Sequence, residues 1–243
     1  FMPLKAIRFV IGQKKYKMNF NPFTRRDFIK SMAFSGIILP FISKNIKIQS
    51  EMGKRIGLIG LDTSHSVAFT KSLNLDTQNT SFDGFKMVAA YPYGSRDILS
   101  STERIPGYTE DVKKLGVEIV GSIQELLKKV DYVLLETNDG RLHLEQAIEV
   151  FKSGKTTFID KPIAASLADT KAIFREAERY QVPIFSSSSL RFATGMSAVK
   201  EGKIGEILGA ETYSPMKFEK THPDLFWYGI HGVEMLFTVM GTG

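Results

Sequence analysis

The 243-residue chain is 43% hydrophobic and 24% charged, which suits one or two globular domains and excludes a disordered chain. Its net charge of +6 comes from residues 1–55, which hold 12 Lys and Arg against 2 acids; subtracting these from the totals of 32 and 26 leaves 20 basic and 24 acidic residues. The remainder is therefore acidic, so the basic balance does not indicate a nucleic-acid partner. The absence of cysteine excludes disulfides.

The segment 1–52 is predicted to be a leader. Two arginines at 25–26 precede an aromatic residue, Lys30 and a short apolar run over 32–39, a pattern typical of a twin-arginine export signal. A basic patch and a membrane anchor are the alternatives, although the run is shorter than the ~20 residues that a span requires. The signal predicts the twin-arginine export machinery as a partner and a periplasmic location. Because this route exports folded proteins, it also favours a bound organic cofactor.

Strands and helices alternate through the next part of the chain. Short apolar runs bounded by turn residues predict strands. The predicted strands are 56–60, 86–91, 118–120, 132–135, 156–159 and 182–185. Alternation of strands with crossover helices predicts an α/β fold with a doubly wound parallel sheet over residues 53–190; the family resemblance given below implies that this is a Rossmann-like dinucleotide-binding domain.

The helices between these strands are predicted from apolar spacing and from capping residues. The predicted helices are 67–73, 110–115, 143–152, and two that begin after the capping residues Ser122 and Ser166. Pro106 and Gly107 predict a loop. Apolar residues at helical spacing are predicted to face the core. They are Leu144, Ala147, Ile148 and Phe151 in one helix, and Ile173, Phe174 and Ala177 in another.

Residues 191–243 have a different pattern. Residues 202–212 are predicted to form a turn and the strand that follows it, and residues 232–240 to form one helix. One strand and one helix cannot enclose a core. We therefore expect a second domain to begin here and the chain to be incomplete at its carboxyl end; the family resemblance given below implies an α+β open-sheet domain for substrate binding and oligomerisation.

The junction Asp160-Lys161-Pro162 is the most informative local feature. It ends a buried strand, and the carboxyl ends of parallel strands are where open α/β sheets place their functional groups. Pro162 restricts Lys161 to extended backbone angles, which gives the lysine a defined direction. The alternative interpretation is a surface turn with a solvated lysine.

Several segments together resemble the Gfo/Idh/MocA family of glucose-fructose oxidoreductase, inositol dehydrogenase and their relatives. They are the glycines of the first strand, the turn Glu136 to His143, the Asp160-Lys161-Pro162 junction, Arg191, and Gly229-Ile230-His231. The resemblance covers residues 54–241. It implies an NAD- or NADP-dependent enzyme that transfers hydride to or from a sugar, a polyol or a related hydroxyl compound, and it allows a homo-oligomer formed through the carboxyl-terminal sheet.

The resemblance also implies the site residues. Lys161 matches the lysine of the family's Glu-Lys-Pro motif, with Asp160 in place of the glutamate, and would hydrogen-bond the reacting hydroxyl. His231 matches the family's acid-base histidine, a task that suits an imidazole of unperturbed pKa about 6.5. The residues expected to bind the cofactor are Gly60, Thr63, Ser64, Ser95, Arg96, Thr137, Asn138, His143, Lys161 and Pro162.

The phosphate turn differs from the family's G-x-G-x-x-G, because the segment from Gly60 to His65 keeps only the first glycine. Asp62 is expected to add bulk and negative charge beside the pyrophosphate, while Thr63 and Ser64 still offer donors at a helix amino end. The second strand ends without the carboxylate that would hold an NAD ribose. Ser95 and Arg96 could meet a 2′-phosphate instead, which slightly favours NADP over NAD; the alternative is that both are solvated loop residues.

Other functions are weighed against the oxidoreductase. His231 and Glu234, with His222 and Asp224 nearby, could be a metal site, but no third ligand is secured and we predict no metal. No nucleophile elbow flanks the serines at 186–189. A non-catalytic periplasmic sugar-binding protein on the same fold remains an alternative, as does an NAD-dependent glycoside hydrolase within the family.

Overall fold

A parallel sheet with helices on both faces is the largest element of the computed structural model, which describes residues 6–11, 14–18, 54–75, 82–193, 195–214 and 216–241. The strands are β1 (Ala6–Ile11), β2 (Lys14–Met18), β3 (Arg55–Ile59), β4 (Lys86–Tyr91), β5 (Glu118–Ile119), β6 (Tyr132–Leu135), β7 (Thr157–Ile159), β8 (Ile184–Phe185) and β9 (Gly209–Tyr213). The α-helices are α1 (Ser64–Asn74), α2 (Leu99–Thr102), α3 (Ile105–Lys114), α4 (Ile123–Leu127), α5 (His143–Phe151), α6 (Leu167–Arg179), α7 (Met196–Lys200) and α8 (Ile230–Met240). Short 3-10 helices occupy Ser189–Phe192 and Asp224–Phe226.

The central sheet has the strand order β5-β4-β3-β6-β7-β8, and every pairing in it is parallel. This is the order of a doubly wound Rossmann sheet, so the predicted fold class is confirmed. Its inner strands are buried on both faces: within β7, Phe158 packs with α1, whereas the next residue, Ile159, packs in the cluster that includes α4, α5 and α6. Continuous apolar strands of this kind are characteristic of parallel sheets covered by helices.

The register of three neighbouring strands aligns their carboxyl ends. Ile59 of β3 is level with Leu135 of β6, which is level with Ile159 of β7. The backbone N–H of Glu136 donates to Ile59 O at 2.7 Å, and that of Asp160 donates to Leu135 O at 2.8 Å. The residues that follow each strand, Gly60 among them, therefore lie side by side at one edge of the sheet.

Two local predictions are wrong. Pro106 and Gly107 do not form a loop but lie in the first part of α3; proline is accepted there because the first-turn N–H groups have no partner inside the helix. Phe174 of α6 is 50% exposed, whereas Ile173 is fully buried.

The predicted inward stripe of α5 is confirmed for Ala147 and Phe151, which are buried in the core. The buried face of this helix also includes the polar residues His143 and Gln146, which the purely apolar stripe did not include.

The carboxyl-terminal segment receives strands from the other end of the chain. β9 pairs antiparallel with β1, which pairs antiparallel with β2, in the order β2-β1-β9. Helix α8 packs on β9, where Thr212 Oγ1 donates to Gly232 O at 2.9 Å. A small core of Ala193, Met196, Val199 and Met235 lies beneath α7 and α8.

The predicted arginine pair and apolar run of the export signal lie outside the described residues. In the part of the chain that is described, none of the helices has both the length and the apolar character needed to cross a bilayer. The predicted domain boundaries at residues 53 and 191 remain predictions.

Candidate active site

Lys161 leaves the end of β7 at the aligned edge of the sheet. Its side chain is only 13% exposed, and Nζ lies 3.2 Å from Asp160 Oδ2. The peptide between Lys161 and Pro162 is cis. Burial would raise the pKa of Asp160, but the Lys161 ammonium and His65 outweigh it and hold that pKa well below its usual range. Lys161 is thus an ion-paired residue of the sheet edge, and the solvated surface turn is excluded.

Helix α8 brings His231 to the same region. Its Nδ1 lies 2.7 Å from Ser188 Oγ, in the loop that follows β8, the strand next to β7. Burial lowers the pKa of His231 to about 3, and the positive charge of Lys161 acts in the same direction. The imidazole is therefore unprotonated near neutral pH.

Glu234, one turn further along α8, fixes this contact. It accepts a hydrogen bond from the backbone N–H of Ser188 and one from Arg191 Nε at 2.6 Å. Burial raises the pKa of Glu234, against these donors, which lower it. Glu234 and His231, three residues apart, both contact the loop that follows β8, so the orientation of the histidine depends on this pairing.

The phosphate turn begins with a glycine that its surroundings require. Gly60 has a φ of +94°, and a Cβ built on it would lie 2.3 Å from Thr137 N. Thr63 caps α1 by accepting from His65 N–H at 3.4 Å, and Ser64 begins the helix, partly exposed. The amino end of an 11-residue helix therefore faces this turn.

Asp62 does not project toward a phosphate site, so the predicted steric obstruction is wrong. The residue is fully buried. Its Oδ1 accepts from Asn138 N–H at 2.9 Å, and its Oδ2 accepts from Ser95 N–H at 3.2 Å. Burial raises the pKa of Asp62, while these two donors lower it. Asp62 ties the loops after β3, β4 and β6 together.

Ser95 is also turned inward, which corrects its predicted role at a 2′-phosphate. It is 2% exposed, and Oγ lies 2.8 Å from both Asp97 Oδ1 and Asp139 Oδ2. Arg141 joins the same network through ion pairs with both acids. Arg96 is exposed, with its guanidinium 5.7 Å from the centre of the Tyr93 ring, so it is the residue of the predicted pair that a ligand can reach.

His143 has a structural position and not the predicted cofactor contact. It is fully buried, with Nδ1 2.9 Å from Ile163 O and Nε2 2.6 Å from Thr137 O. It thereby joins the turn after β6 to the turn after β7. The Thr137 hydroxyl is buried without a hydrogen-bond partner. Pro162, which directly precedes Ile163 in the chain, is also buried.

Glu136 and His65 also lie at the carboxyl edge of the sheet. No role for Glu136 was predicted from the sequence. His65 Nδ1 lies 3.1 Å from Asp160 Oδ2 and 3.9 Å from Glu136 Oε2. Glu136 is fully buried; burial, followed by the negative charge of Asp160, raises its pKa well above the usual range. The position of Glu136 directly after a strand, parallel to Asp160, is the sequence signal that could have revealed it.

The metal site considered around α8 does not form among the described side chains. His222 Nε2 accepts from Gly140 N–H at 3.1 Å, and its ring packs 4.7 Å from that of Trp227. Burial lowers the pKa of His222. Glu234 is held by its own separate partners, and the side chain of Asp224 lies outside the described part of the structure.

The Rossmann sheet, the glycine-led phosphate turn and the lysine at the strand edge together define a dinucleotide-binding domain. The family described as "Oxidoreductase family, NAD-binding Rossmann fold" (GFO_IDH_MocA) matches residues 54–188, which is more than half of the chain. The chain therefore belongs to the Gfo/Idh/MocA oxidoreductase family.

Individual relatives agree with this assignment. The chain is 29% identical over 121 residues to an uncharacterised oxidoreductase of Streptococcus pneumoniae, a match that covers 47% of this chain and 32% of the relative. It is 30% identical over 120 residues to the 1,5-anhydro-D-fructose reductase of Ensifer adhaerens, covering 47% and 35%. The crystal structure of a "probable dehydrogenase" from Thermotoga maritima has the same fold, with a TM-score of 0.57, 22% identity, and coverage of 78% of this chain and 56% of that one. These matches span about a third of the curated relatives and about half of the solved structure.

Proposed function

We propose that the protein is an exported NAD(P)-dependent oxidoreductase that acts on a sugar, a polyol or a related hydroxyl compound. The observation that carries the proposal is the placement of an ion-paired lysine and an unprotonated histidine at one edge of the sheet. Lys161 is held by Asp160, and His231 is held by Ser188. Burial lowers the pKa of His231, and the nearby positive charge of Lys161 lowers it further.

The residues around the phosphate turn fit a dinucleotide. Gly60 leaves room where any side chain would collide with Thr137, and the inward orientation of Asp62 removes an obstruction from the turn. Thr63, Ser64 and the amino end of α1 would bind the phosphates, and the unpartnered hydroxyl of Thr137 is a further donor. Exposed Arg96 supports NADP over NAD.

A bound nicotinamide would accept a hydride from the substrate carbon or return it. Lys161 donates a hydrogen bond to the reacting hydroxyl and stabilises negative charge on its oxygen. His231 accepts the hydroxyl proton at the ring nitrogen that does not contact Ser188, and returns it in the reverse direction. One alcohol then gives one carbonyl, one reduced cofactor and one proton.

Two further parts of the proposal rest on other features. The similarity to an enzyme named 1,5-anhydro-D-fructose reductase supports a carbohydrate substrate. The arginine pair and apolar run of the leader support export by the twin-arginine route to the periplasm. A homo-oligomer formed through the carboxyl-terminal sheet is also proposed.

The test measures binding and turnover separately. NADPH and NADH are titrated into the purified protein by nicotinamide fluorescence, and 1,5-anhydro-D-fructose with several polyols is then assayed by nicotinamide absorbance. Lys161→Ala should lower turnover by about 10²–10⁴-fold in a protein that is still folded at the assay temperature, although loss of the ion pair with Asp160 lowers its stability. Lys152→Ala removes an exposed lysine and should leave both unchanged. Failure of millimolar dinucleotide to bind or to shift melting would reject the proposal in favour of the non-catalytic sugar-binding protein.

A further inference from the structure

The carboxyl edge of the sheet carries a cluster of potential metal ligands that take no direct part in the proposed hydride transfer, although one of them, Asp160, also holds Lys161. One ligand atom each from His65, Glu136 and Asp160 lies within 4.8 Å of the other two. Among the described residues, this is the one group of three His, Asp or Glu side chains whose ligand atoms lie this close together. It is a different site from the α8 group, His231 and Glu234, that was considered from the sequence as a set of metal ligands.

Strand register explains why the two carboxylates meet. Glu136 follows Leu135 and Asp160 follows Ile159, and these two strand residues are level with one another. Side chains at equivalent positions of neighbouring strands point to the same face. The face in question is the one that α1 covers, and His65 lies in the first turn of that helix.

Glu136 supplies the second, independent observation. Its side chain has no exposure to solvent, and neither of its carboxylate oxygens has a hydrogen-bond partner. Buried carboxylates in folded proteins are almost always hydrogen-bonded, ion-paired or bound to a metal. The nearest basic atom is His65 Nδ1 at 3.9 Å, so the unpartnered oxygens face the interior of the cluster.

The distances suit coordination after small rotations of the side chains. Ligands at about 2.1 Å from a tetrahedral metal lie about 3.4 Å from one another. The separations of His65 Nδ1 from Asp160 and from Glu136, 3.1 and 3.9 Å, bracket that value. The His65 side chain is 36% exposed, which leaves an open side through which an ion and a further ligand can enter.

Three acidic side chains are buried at the cluster. Glu136 and Asp160 are accompanied by Asp62, and Lys161 Nζ contacts Asp160 among these acids. The described ion pairs give Glu136 no lysine or arginine partner, so a bound cation would supply the partner that its oxygens lack.

We propose that His65, Glu136 and Asp160 bind one divalent first-row transition metal at the carboxyl edge of the sheet. One imidazole nitrogen with two carboxylate oxygens is a ligand set that suits Zn²⁺, Mn²⁺ and Fe²⁺ and leaves coordination positions open. Metal binding is measured without turnover, so its result tests this site independently of the proposed oxidoreductase activity.

The experiment measures metal directly on the tag-free full chain. Protein stripped with a chelator is dialysed against Mn²⁺ or Zn²⁺, and bound metal is counted by inductively coupled plasma mass spectrometry. We expect one ion per chain and a higher melting temperature. Glu136→Gln and Asp160→Asn keep the side-chain shape, and each should weaken binding at least tenfold by calorimetry. Glu149→Gln alters another carboxylate with a buried unpartnered oxygen, outside the cluster, and should bind like the wild type.

Spectroscopy identifies the nitrogen ligand. Electron spin-echo modulation of bound Mn²⁺ should show coupling to one ¹⁴N nucleus, and His65→Gln should abolish it. Absence of bound metal in the folded wild-type protein would overturn the proposal. Equal metal content in wild type, Glu136→Gln and His65→Gln would also overturn it, because the ion would then be bound elsewhere.

Discussion

Replacing Asp62 by alanine tests whether this carboxylate supports the loops or faces the ligand. In the wild type it accepts hydrogen bonds from the backbone N–H groups of Ser95 and Asn138. Each hydrogen bond to a charged group contributes about 1.5–3 kcal/mol, and the buried N–H groups would lose their partners. Burial raises the pKa of Asp62, so the cost of burying its charge offsets part of this stabilisation. We expect Asp62→Ala to lower the free energy of unfolding by about 2–4 kcal/mol.

Urea denaturation followed by circular dichroism measures this change. In a domain of this size the loss corresponds to a fall in melting temperature of roughly 5–15 °C. Asp62→Asn retains one acceptor and should lose about half as much. Glu110→Ala removes an exposed carboxylate that pairs with Lys113 at the surface, and should change stability by less than about 1 kcal/mol.

The outcome separates two interpretations of Asp62. If Asp62→Ala is as stable as the wild type and binds NADPH more tightly, the carboxylate faces the phosphates and the structural role is refuted. A large loss of stability with unchanged or weaker NADPH binding agrees with the inward orientation.

Two further predictions concern the same region. Gly60→Ala and Gly116→Ala both place alanine at positive φ, +94° and +83°, but a Cβ on Gly60 would collide with Thr137, whereas a Cβ on Gly116 would meet no atom within 4 Å. Gly116→Ala should therefore lower the free energy of unfolding by about 1–2 kcal/mol and Gly60→Ala by several kcal/mol more. Equal losses in urea denaturation would contradict the close contact at Gly60. Burial lowers the pKa of His222, and it lowers the pKa of His231 to about 3. Below the unperturbed pKa of about 6.5 the unfolded chain therefore binds more protons than the folded protein. The free energy of unfolding is at its full value above about pH 6.5 and decreases as the pH falls toward about 3. Between about pH 7 and about pH 5 we expect His231 to account for a loss of about 1–2 kcal/mol in unfolding free energy, which His231→Asn should remove; an unchanged pH dependence in the variant would show that His231 is not held unprotonated.

Local sequence patterns were sufficient for most of the elements. The strand from Lys86 to Tyr91 was predicted with the observed bounds, and Ser122 and Ser166 cap their helices as expected, accepting from Glu125 N–H and Asp169 N–H. Apolar periodicity and capping act over one or two turns, so they can be recognised without knowing the fold. The predictions failed where a residue's environment came from distant segments. Phe174 is half exposed because none of the described elements covers that face of α6, and the antiparallel partner of β9 comes from the first residues of the chain.

The sequence by itself determined the α/β class, the place of Lys161 after a strand and the family resemblance, because strand ends and motifs are local features of the chain. Tertiary structure alone decided where the polar side chains of that edge point. Asp62, Ser95 and His143 turn inward to join loops, whereas Glu136 is left without a partner beside Asp160 and His65. The physical reason is that strand register and helix packing bring together residues that are far apart in sequence, and only those contacts fix whether a polar group binds a loop, a ligand or an ion.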